Sequence, residues 1–311
     1  MKNILVIGGA GYIGSVLVPT LLHEGHNVTV LDNIYFKQAT LLDCCHKENF
    51  SIIKGDCRDK ATISRAIQGM DYIIPLAAMV GFPLCDFDPI AAETINLRSI
   101  EALLELRRNE QKILYPCTNS GYGIGKSDKY CTEDTPLNPI SIYGKTKVAA
   151  ESLILSSGNS ISFRLATVFG VSPKMRIDLL VNDFVYRAVN DRAVVIFEGN
   201  FKRNYIHVRD VVRVFIHGIE NFEEMKNEAY NVGLSDANLS KLELCSKIKA
   251  FIPDFVFLES SIGKDPDKRD YIVSNQKIER SGFTPNYSLE NGIKELIKAY
   301  TIIKNAQYAN C

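Results

Sequence analysis

Short apolar runs alternate with longer stretches of helical periodicity through the first half of the chain. The apolar runs predict strands at residues 3–7, 27–31, 51–54, 72–76, 113–117 and 161–165. The amphipathic stretches between them predict helices at residues 11–24, 60–68, 89–108 and 141–157. Strands that alternate with helices in this way predict an α/β fold built on a doubly wound parallel sheet.

The pattern becomes less regular from about residue 171. Prolines and glycines separate shorter elements there, which predicts a second and smaller lobe. We therefore predict a first lobe at residues 1–170 that carries the parallel sheet, with segments near 205–232 returning to it. Residues 171–311 are predicted to form a C-terminal lobe that binds the substrate.

The first strand leads into three closely spaced glycines, Gly8, Gly11 and Gly14, and then into the first helix. Gly8 permits a tight turn, Gly11 lets the backbone approach a pyrophosphate, and Gly14 lets the helix pack closely. The turn also contains Tyr12 and Ile13, and it would place phosphates at the helix N-terminus. This spacing predicts a Rossmann sheet that binds a dinucleotide.

Residues directly after other strands would line the same crevice, because ligands of such sheets bind at the carboxyl ends of the strands. Asp32 and Asn33 follow the second strand. The Asp32 carboxylate is expected to bind the adenosine ribose diol and to repel a 2′-phosphate, which favours NAD over NADP. Further cofactor-binding candidates follow the third and fourth strands: Asp56, Cys57, Leu76, Ala77 and Ala78.

Tyr143 and Lys147 lie four residues apart in a predicted helix, so their side chains share one face. The lysine cation and a helix N-terminus near Ser141 would both favour the phenolate, so we expect a lowered pKa for Tyr143. Thr118 follows the fifth strand, and its hydroxyl could hydrogen-bond the oxygen that Tyr143 deprotonates. These three residues predict a catalytic set for hydride chemistry on an alcohol.

Composition and charge limit the class of protein. The 311 residues have a formal net charge of +0, with 46% hydrophobic and 23% charged residues, which gives no electrostatic case for nucleic acid or an anionic membrane. No apolar stretch is long enough to span a bilayer and no signal peptide is recognised, so we expect a cytoplasmic protein. The eight cysteines lack C-x-x-C spacing and the five histidines lack H-x-x-x-H spacing, so we expect reduced thiols and no metal site.

These motifs together resemble the extended short-chain dehydrogenase/reductase family of NAD-dependent sugar-nucleotide enzymes. The resemblance rests on the glycine turn, Asp32, Asp56, Thr118 followed by Tyr122-Gly123, and Tyr143-x-x-x-Lys147, and on the segments 163–170, 203–210 and 265–269. It implies tightly bound NAD, a nucleotide-sugar substrate, and a homodimer formed by the helices at 89–108 and 141–157.

The resemblance also implies roles for individual residues. Tyr143 would be the base, Lys147 its tuner and a ligand of the nicotinamide ribose, and Thr118 the hydroxyl partner. Asn96 is a candidate near the cofactor, where it would stabilise a helix kink or bind a water close to Lys147. Alternatively, it is an ordinary polar helix residue. Candidates for binding the nucleotide sugar are Asn119, Ser120, Arg176, Asn182, Arg203 and Arg269.

The residues leave several reactions open. Asn119 and Ser120 stand where sugar-nucleotide 4,6-dehydratases carry an acidic pair, which disfavours dehydration because neither side chain transfers protons readily. Asp32 also argues against an NADPH-driven ketose reductase. A C4 dehydrogenase, a C4 epimerase and a non-enzymatic NAD- or nucleotide-binding regulator remain, since fold alone does not choose among them.

At finer grain, residues 73–78, 118–125 and 204–210 resemble the GDP-manno-heptose 4-dehydrogenases of bacterial capsule biosynthesis. This resemblance implies oxidation of GDP-D-glycero-α-D-manno-heptose at C4. If the ketone leaves the enzyme, NADH must be reoxidised by another carbonyl compound, for which 2-oxoglutarate is a candidate.

Overall fold

The structure is a computed structural model that describes residues 1–125, 129–262 and 269–303. Its strands in chain order are β1 (Asn3–Ile7), β2 (Asn27–Asp32), β3 (Phe50–Lys54), β4 (Tyr72–Pro75), β5 (Lys112–Thr118), β6 (Ser160–Leu165), β7 (Thr167–Phe169), β8 (Ala193–Ile196), β9 (Lys202–His207), β10 (Glu228–Val232), β11 (Asn238–Ser240) and β12 (Val256–Glu259). Its α-helices are α1 (Gly14–His23), α2 (Lys60–Ala66), α3 (Phe82–Phe87), α4 (Pro89–Glu93), α5 (Ser99–Leu106), α6 (Ile142–Ser156), α7 (Leu180–Asn190), α8 (Val208–Glu220), α9 (Phe222–Met225), α10 (Lys241–Lys249), α11 (Gln276–Arg280) and α12 (Leu289–Ile302). No helix in these residues is long and apolar enough to cross a membrane.

Among the described strands, seven form one parallel sheet in the order β10-β6-β5-β4-β1-β2-β3. From β1 the chain builds one half of the sheet through β2 and β3, and it then returns to build the other half from β4. The predicted doubly wound parallel sheet is therefore confirmed, and each predicted strand is found to within one residue at either end. This topology opens a ligand crevice at the carboxyl ends of β1 and β4.

Helices bury both faces of the sheet. Along β1, Ile4 and Val6 pack into one apolar cluster with residues of α1 and α8. Leu5 and Ile7 pack into a second cluster with residues of α2, α5 and α6. Because successive side chains of a strand point to opposite faces, a sheet covered on both faces requires continuous apolar runs, which are the runs that the sequence contains.

The helix predicted at residues 89–108 is not continuous. A π-helical turn at Thr94–Arg98 separates α4 from α5. Inside this turn the Asn96 amide accepts a hydrogen bond from the Met79 backbone N–H at 2.8 Å and donates one to the Met79 carbonyl at 3.0 Å. These contacts with an earlier segment of the chain account for the wider turn. The first predicted helix also starts later than residue 11, at Gly14, because the preceding residues form the glycine turn.

The second half of the chain both leaves and rejoins the large sheet. β9 lies between β7 and β11 in a three-stranded sheet, and β8 pairs with β12. In contrast, α8 packs against α1 and β5, and β10 pairs with β6 at the edge of the large sheet. Part of the segment near 205–232 is thus packed on the large sheet, and the division of the chain at residue 170 remains a prediction.

The helices at 89–108 and 141–157, which would form the homodimer, use part of their apolar surface inside the chain. Ile100, Leu103 and Ile154 are buried in the cluster beneath the sheet. Leu153 is 39% exposed, and the half-buried members are Ile95, Leu104, Val148 and Leu155. Leu153 and the half-buried side chains offer apolar surface to a second copy, as does Ile90, which is 77% exposed in α4. The homodimer remains a prediction.

Candidate active site

The turn after β1 has the geometry that a bound pyrophosphate requires. Gly8 has φ 84°, and a Cβ there would lie 2.5 Å from the Ala77 backbone nitrogen. At Gly11 a Cβ would meet only the Gly8 carbonyl oxygen, at 3.2 Å, so the backbone is open on its other side. At Gly14 a Cβ would lie 2.5 Å from the Gly9 carbonyl oxygen. The three glycines therefore fit the turn, approach and packing roles predicted for them, and this cradle fits a dinucleotide.

Gly11 and Gly14 of this turn are expected to respond differently to alanine. In Gly14→Ala the Cβ meets rigid backbone, so we expect a loss of about 1–3 kcal/mol in the free energy of unfolding together with weaker NAD binding. In Gly11→Ala the extra methyl faces the phosphate site, so NAD affinity should fall with a smaller loss of stability. Chemical denaturation and calorimetric titration with NAD measure the two effects. Equal stability losses in the two variants would contradict this division of roles.

Asp32 stands at the end of β2, next to the glycine turn. Its Oδ2 accepts a hydrogen bond from the Ala10 backbone N–H at 2.9 Å, and its Oδ1 accepts one from the Ile34 N–H at 2.7 Å. The carboxylate is half-buried, and each oxygen keeps a lone pair for a ribose hydroxyl. Asn33 is exposed, and its side-chain oxygen accepts the Tyr35 N–H at 3.0 Å. The backbone thus fixes Asp32 where a ribose diol is expected, whereas Asn33 stabilises its own loop.

The candidates after β3 and β4 are only partly available to a cofactor. Asp56 forms an ion pair with Arg58 at 2.6 Å, and the hydrogen bond from Arg58 lowers the pKa of Asp56. Cys57 and Ala77 line a small apolar cavity between β1 and α5, and burial raises the pKa of Cys57 to about 11. Leu76, Ala77 and Ala78 are half-buried at the carboxyl end of β4, where small side chains leave the crevice accessible.

Asn96 is not placed as a direct cofactor ligand. It is 2% exposed, and besides Met79 its amide donates to the Thr146 hydroxyl at 3.3 Å. Thr146 lies in α6 directly before Lys147, so Asn96 connects the loop after β4 with the helix of the catalytic candidates. Of the expected roles, the helix distortion is the one observed, because both N–H groups of the amide and one lone pair of its oxygen bind protein groups.

Helix α6 presents Tyr143 and Lys147 beside the end of β5. Ser141 caps the helix by accepting the Gly144 N–H on its hydroxyl at 3.1 Å. A Cβ on Gly144 would lie 3.3 Å from the Ser120 carbonyl oxygen, so the first turn of α6 packs directly on the turn that contains Thr118 and Ser120. The predicted catalytic residues are thus brought to one edge of the sheet.

The expectation of a lowered pKa for Tyr143 is wrong. Burial raises the pKa of Tyr143 to about 12, and the cations that oppose this shift are Arg269 and Arg176. Lys147 is 4% exposed, burial lowers its pKa to about 8, and its Nζ lies 4.0 Å from the centre of the Tyr115 ring. The lysine cation is directed to an aromatic face, which a spacing of four residues does not reveal.

Ser120 joins Thr118 to Arg269. The Thr118 hydroxyl donates to Ser120 Oγ at 2.9 Å and accepts the Ser120 backbone N–H at 3.1 Å. Arg269 Nη1 also donates to Ser120 Oγ. Residues 265–268, which precede Arg269 in the segment predicted to contact a diphosphate, lie outside the described residues.

Asn119 is 1% exposed, and neither its Oδ1 nor its Nδ2 has a hydrogen-bond partner in the described part of the chain. Buried amides are normally paired, so this side chain is a suitable partner for a ligand.

The other predicted substrate residues differ in availability. Arg176 forms an ion pair with Asp178 and lies close enough to influence Tyr143. Arg203 is buried on β9, donates to the Lys202 carbonyl at 3.2 Å, and lies 5.9 Å from the centre of the Tyr271 ring, two residues after Arg269. Arg176 and Arg269 are thus the two cations that act on the candidate base, and Arg203 lies beside Tyr271, near Arg269 in the sequence.

Asn182 is not placed as a substrate ligand. It is completely buried, its Oδ1 accepts the Gly170 N–H at 3.0 Å, and its Nδ2 donates to the Arg176 carbonyl at 2.8 Å and toward the Tyr12 hydroxyl at 3.4 Å. Tyr12 is also enclosed, and its hydroxyl donates to the Gly170 carbonyl at 2.7 Å. Asn182 and Tyr12 thus hold the segment that carries Arg176, while Ile13 occupies the N-cap position of α1 and is half-buried.

A buried ion pair beneath the site had not been expected from the sequence. Arg164 Nη2 lies 2.7 Å from Glu151 Oε1, and both side chains are buried. Glu151 follows Lys147 by four residues and Tyr143 by eight, so its helical spacing placed it on the catalytic face. That spacing was the available signal, and its partner on β6 could not be identified without the fold.

Known proteins share both the sequence pattern and the fold. A model of the NAD dependent epimerase/dehydratase family matches residues 4–233. Low-salt glycan biosynthesis protein Agl12 of Haloferax volcanii is 27% identical, over 96% of this chain and 98% of the relative. UDP-glucose 4-epimerase of Lactobacillus helveticus is 28% identical, over 85% and 87%. The solved structure of Pal from Bacillus thuringiensis superposes with a TM-score of 0.86 at 22% identity, over 97% of this chain and 100% of that chain.

These matches confirm the predicted fold and the prediction of an enzyme that uses NAD. The finer expectations of a GDP-linked heptose, a capsule pathway and a dimer are not decided by them. The chain belongs to the NAD dependent epimerase/dehydratase family, and NAD is its cofactor.

Proposed function

We propose that this enzyme oxidises the C4 hydroxyl of a nucleotide sugar, with GDP-D-glycero-α-D-manno-heptose as the substrate. The observation that carries the proposal is the packing of the first turn of α6 on the turn after β5, where a Cβ on Gly144, the residue after Tyr143, would lie 3.3 Å from the Ser120 carbonyl oxygen. The same edge of the sheet carries the glycine cradle and Asp32 for NAD. The proposal accordingly assigns the base, the hydroxyl partner and the hydride acceptor to one crevice.

Different residues of the chain bind the cofactor and transfer the proton. The glycine turn and Asp32 hold the dinucleotide, and Lys147 binds the ribose next to the nicotinamide. Tyr143 removes the proton of the C4 hydroxyl, and Thr118 donates a hydrogen bond to the same oxygen. Bound NAD supplies the ring that accepts the hydride from C4. Because burial raises the pKa of Tyr143 to about 12, the phenolate depends on nearby positive charge in the complex.

The side chains after Thr118 support oxidation without elimination. Asn119 and Ser120 have no carboxyl group that could protonate a leaving hydroxyl, so the 4-keto sugar would be released without loss of water. The buried amide of Asn119, which has no hydrogen-bond partner among the described residues, can both donate to and accept from sugar hydroxyls. The identity of the sugar and of guanine rests on the resemblance of residues 73–78, 118–125 and 204–210.

A C4 epimerase is the second candidate, and it is favoured by the UDP-glucose 4-epimerase among the relatives. An epimerase also removes the C4 hydride, but it returns the hydride to the opposite face and needs no external oxidant. A regulator would bind NAD without either reaction, and the complete Thr118, Tyr143 and Lys147 set argues against it.

The deciding experiment incubates the protein with GDP-D-glycero-α-D-manno-heptose and follows C4 by NMR, with and without 2-oxoglutarate. A 4-keto sugar whose amount rises with 2-oxoglutarate is the expected result. An inverted C4 alcohol formed without oxidant would support the epimerase instead. UDP-glucose serves as the comparison substrate, and a reaction with UDP-glucose alone would contradict the proposed guanine nucleotide. Failure to react with either would contradict the proposed oxidation.

A further inference from the structure

Three hydrogen bonds meet at the turn after β5, and Ser120 takes part in all of them. Its backbone N–H donates to Thr118 Oγ1 at 3.1 Å, and its Oγ accepts from the Thr118 hydroxyl at 2.9 Å and from Arg269 Nη1. Thr118 and Ser120 are nearly enclosed, with 7% and 2% of their surface exposed. The two hydroxyls are therefore held in a fixed arrangement.

The lone pairs and protons of Ser120 and Thr118 determine which directions their hydrogen bonds can take. A guanidinium only donates, so Arg269 occupies one lone pair of Ser120 Oγ. Ser120 then retains one lone pair and its proton. Thr118 Oγ1 likewise gives one lone pair to the Ser120 N–H and retains one lone pair and its proton. The hydrogen bond between the two hydroxyls can consequently reverse by rotation of protons alone, without movement of any heavy atom.

Resting on the proposed oxidation, we propose that Arg269 and Ser120 are positioning residues that aim the Thr118 proton at the reacting sugar oxygen. With a sugar oxygen beside Thr118, Arg269 donates to Ser120, Ser120 donates to Thr118, and Thr118 donates to the substrate. In the structure the Thr118 hydroxyl donates to Ser120 Oγ, which is the opposite direction of the same hydrogen bond.

The chemistry of the oxidation explains why such a chain helps. Negative charge develops on the sugar oxygen as Tyr143 removes its proton, and a donor fixed in advance stabilises that charge. Hydrogen bonds in a chain strengthen one another, and a chain that begins at a cation is stronger than one between neutral groups. Arg269 also opposes the burial that raises the pKa of Tyr143, so the same cation favours both the base and the hydroxyl donor.

The chain of contacts predicts a specific pattern of kinetic effects. Ser120→Ala keeps the backbone N–H that binds Thr118 but removes the link to Arg269, and we expect kcat to fall about tenfold with little change in the KM for the nucleotide sugar. Ser120→Thr should restore much of the rate because it restores the hydroxyl. In a Thr118→Ala background, Ser120→Ala should have almost no further effect, because the group that it positions is gone.

Arg269→Gln separates positioning from simple substrate binding. Loss of the guanidinium should lower kcat and move the rising limb of the kcat–pH profile to higher pH, since Tyr143 loses a cation that lowers its pKa. Ser120→Ala should leave the position of that limb unchanged. The exposed residues Ser235 and Arg280 provide the control variants Ser235→Ala and Arg280→Gln, which should behave as wild type.

Steady-state kinetics of these variants, with folding checked by circular dichroism and NAD binding by calorimetry, test the proposal. Additive losses for Thr118→Ala and Ser120→Ala, or an Arg269→Gln effect confined to KM, would overturn the positioning role while leaving the oxidation intact. A wild-type protein that binds NAD but oxidises no nucleotide sugar would overturn the proposed function and the positioning role together.

Discussion

Replacing Tyr143 with phenylalanine is expected to reduce the rate of C4 oxidation by about 1,000-fold while NAD remains bound. The change removes only the phenolic oxygen that accepts the proton, and the ring continues to pack at the start of α6. Thr118 and Lys147 keep their contacts, so substrate affinity should change little. The measurement is the single-turnover formation of NADH with saturating nucleotide sugar, and calorimetric titration gives the affinity for NAD.

A matched control shows whether the effect belongs to this tyrosine. Tyr130 is 52% exposed, and Tyr130→Phe should leave the rate of NADH formation unchanged. A rate of NADH formation close to that of the wild type in Tyr143→Phe would show that Tyr143 is not the base. A loss of NAD binding in that variant would instead indicate that the ring supports the cofactor site.

Breaking the buried ion pair between Glu151 and Arg164 should have the largest effect on stability. Arg164 donates to the carboxylate at 2.7 and 3.0 Å, and Ser162 Oγ donates to it at 2.6 Å. In Glu151→Gln the guanidinium remains buried without a counter-charge, so we expect the free energy of unfolding to fall by about 3–5 kcal/mol. Denaturant unfolding followed by circular dichroism measures this loss.

The exposed pair of Lys277 and Glu228, at 2.8 Å, provides the comparison. Glu228→Gln should change stability very little, because water screens an exposed pair. The double variant Glu151→Leu/Arg164→Met should be less destabilised than the sum of its single changes, since it leaves no unpaired charge. Suppose instead that each single variant loses about 3–5 kcal/mol in the free energy of unfolding and that the double variant loses the sum of the two. That result would show that the pair acts only through packing.

Local sequence patterns were sufficient for the large sheet and for the cofactor turn. Side chains of β1 alternate between two buried faces, and that arrangement requires the continuous apolar run that the chain contains. The glycine spacing was equally informative, because Gly8 and Gly14 stand where a Cβ would meet backbone atoms. The three glycines and the apolar run each lie within one short segment, so the patterns can be recognised without the structure, even though the backbone that a Cβ on Gly8 would meet belongs to the distant Ala77.

Features that depend on distant partners could not be predicted. The helix around Asn96 is widened by contacts with Met79, and the Lys147 cation faces the Tyr115 ring on β5. The pKa of Tyr143 is raised by burial, and burial cannot be predicted from the spacing of Tyr143 and Lys147. Asn182 is a polar residue whose amide is used by Gly170 and Arg176, and only the fold shows that it supports the cleft.

Several expected features are still open to experiment. The substrate, the oxidant of NADH and the homodimer rest on resemblance and on the exposure of residues such as Leu153, and each can be tested with the purified protein. The proposed oxidation by Thr118, Tyr143 and Lys147 has one requirement that can be tested directly. The hydrogen on the sugar carbon must be transferred to NAD as hydride.

The most direct test follows that hydrogen. GDP-D-glycero-α-D-manno-heptose carrying deuterium at C4 is mixed with enzyme and NAD in ordinary water, and mass spectrometry locates the label after a single turnover. Deuterium on the nicotinamide ring, with NADH formed more slowly than from unlabelled substrate, is the predicted result. Deuterium that stays on the sugar or exchanges into water would contradict hydride transfer from C4.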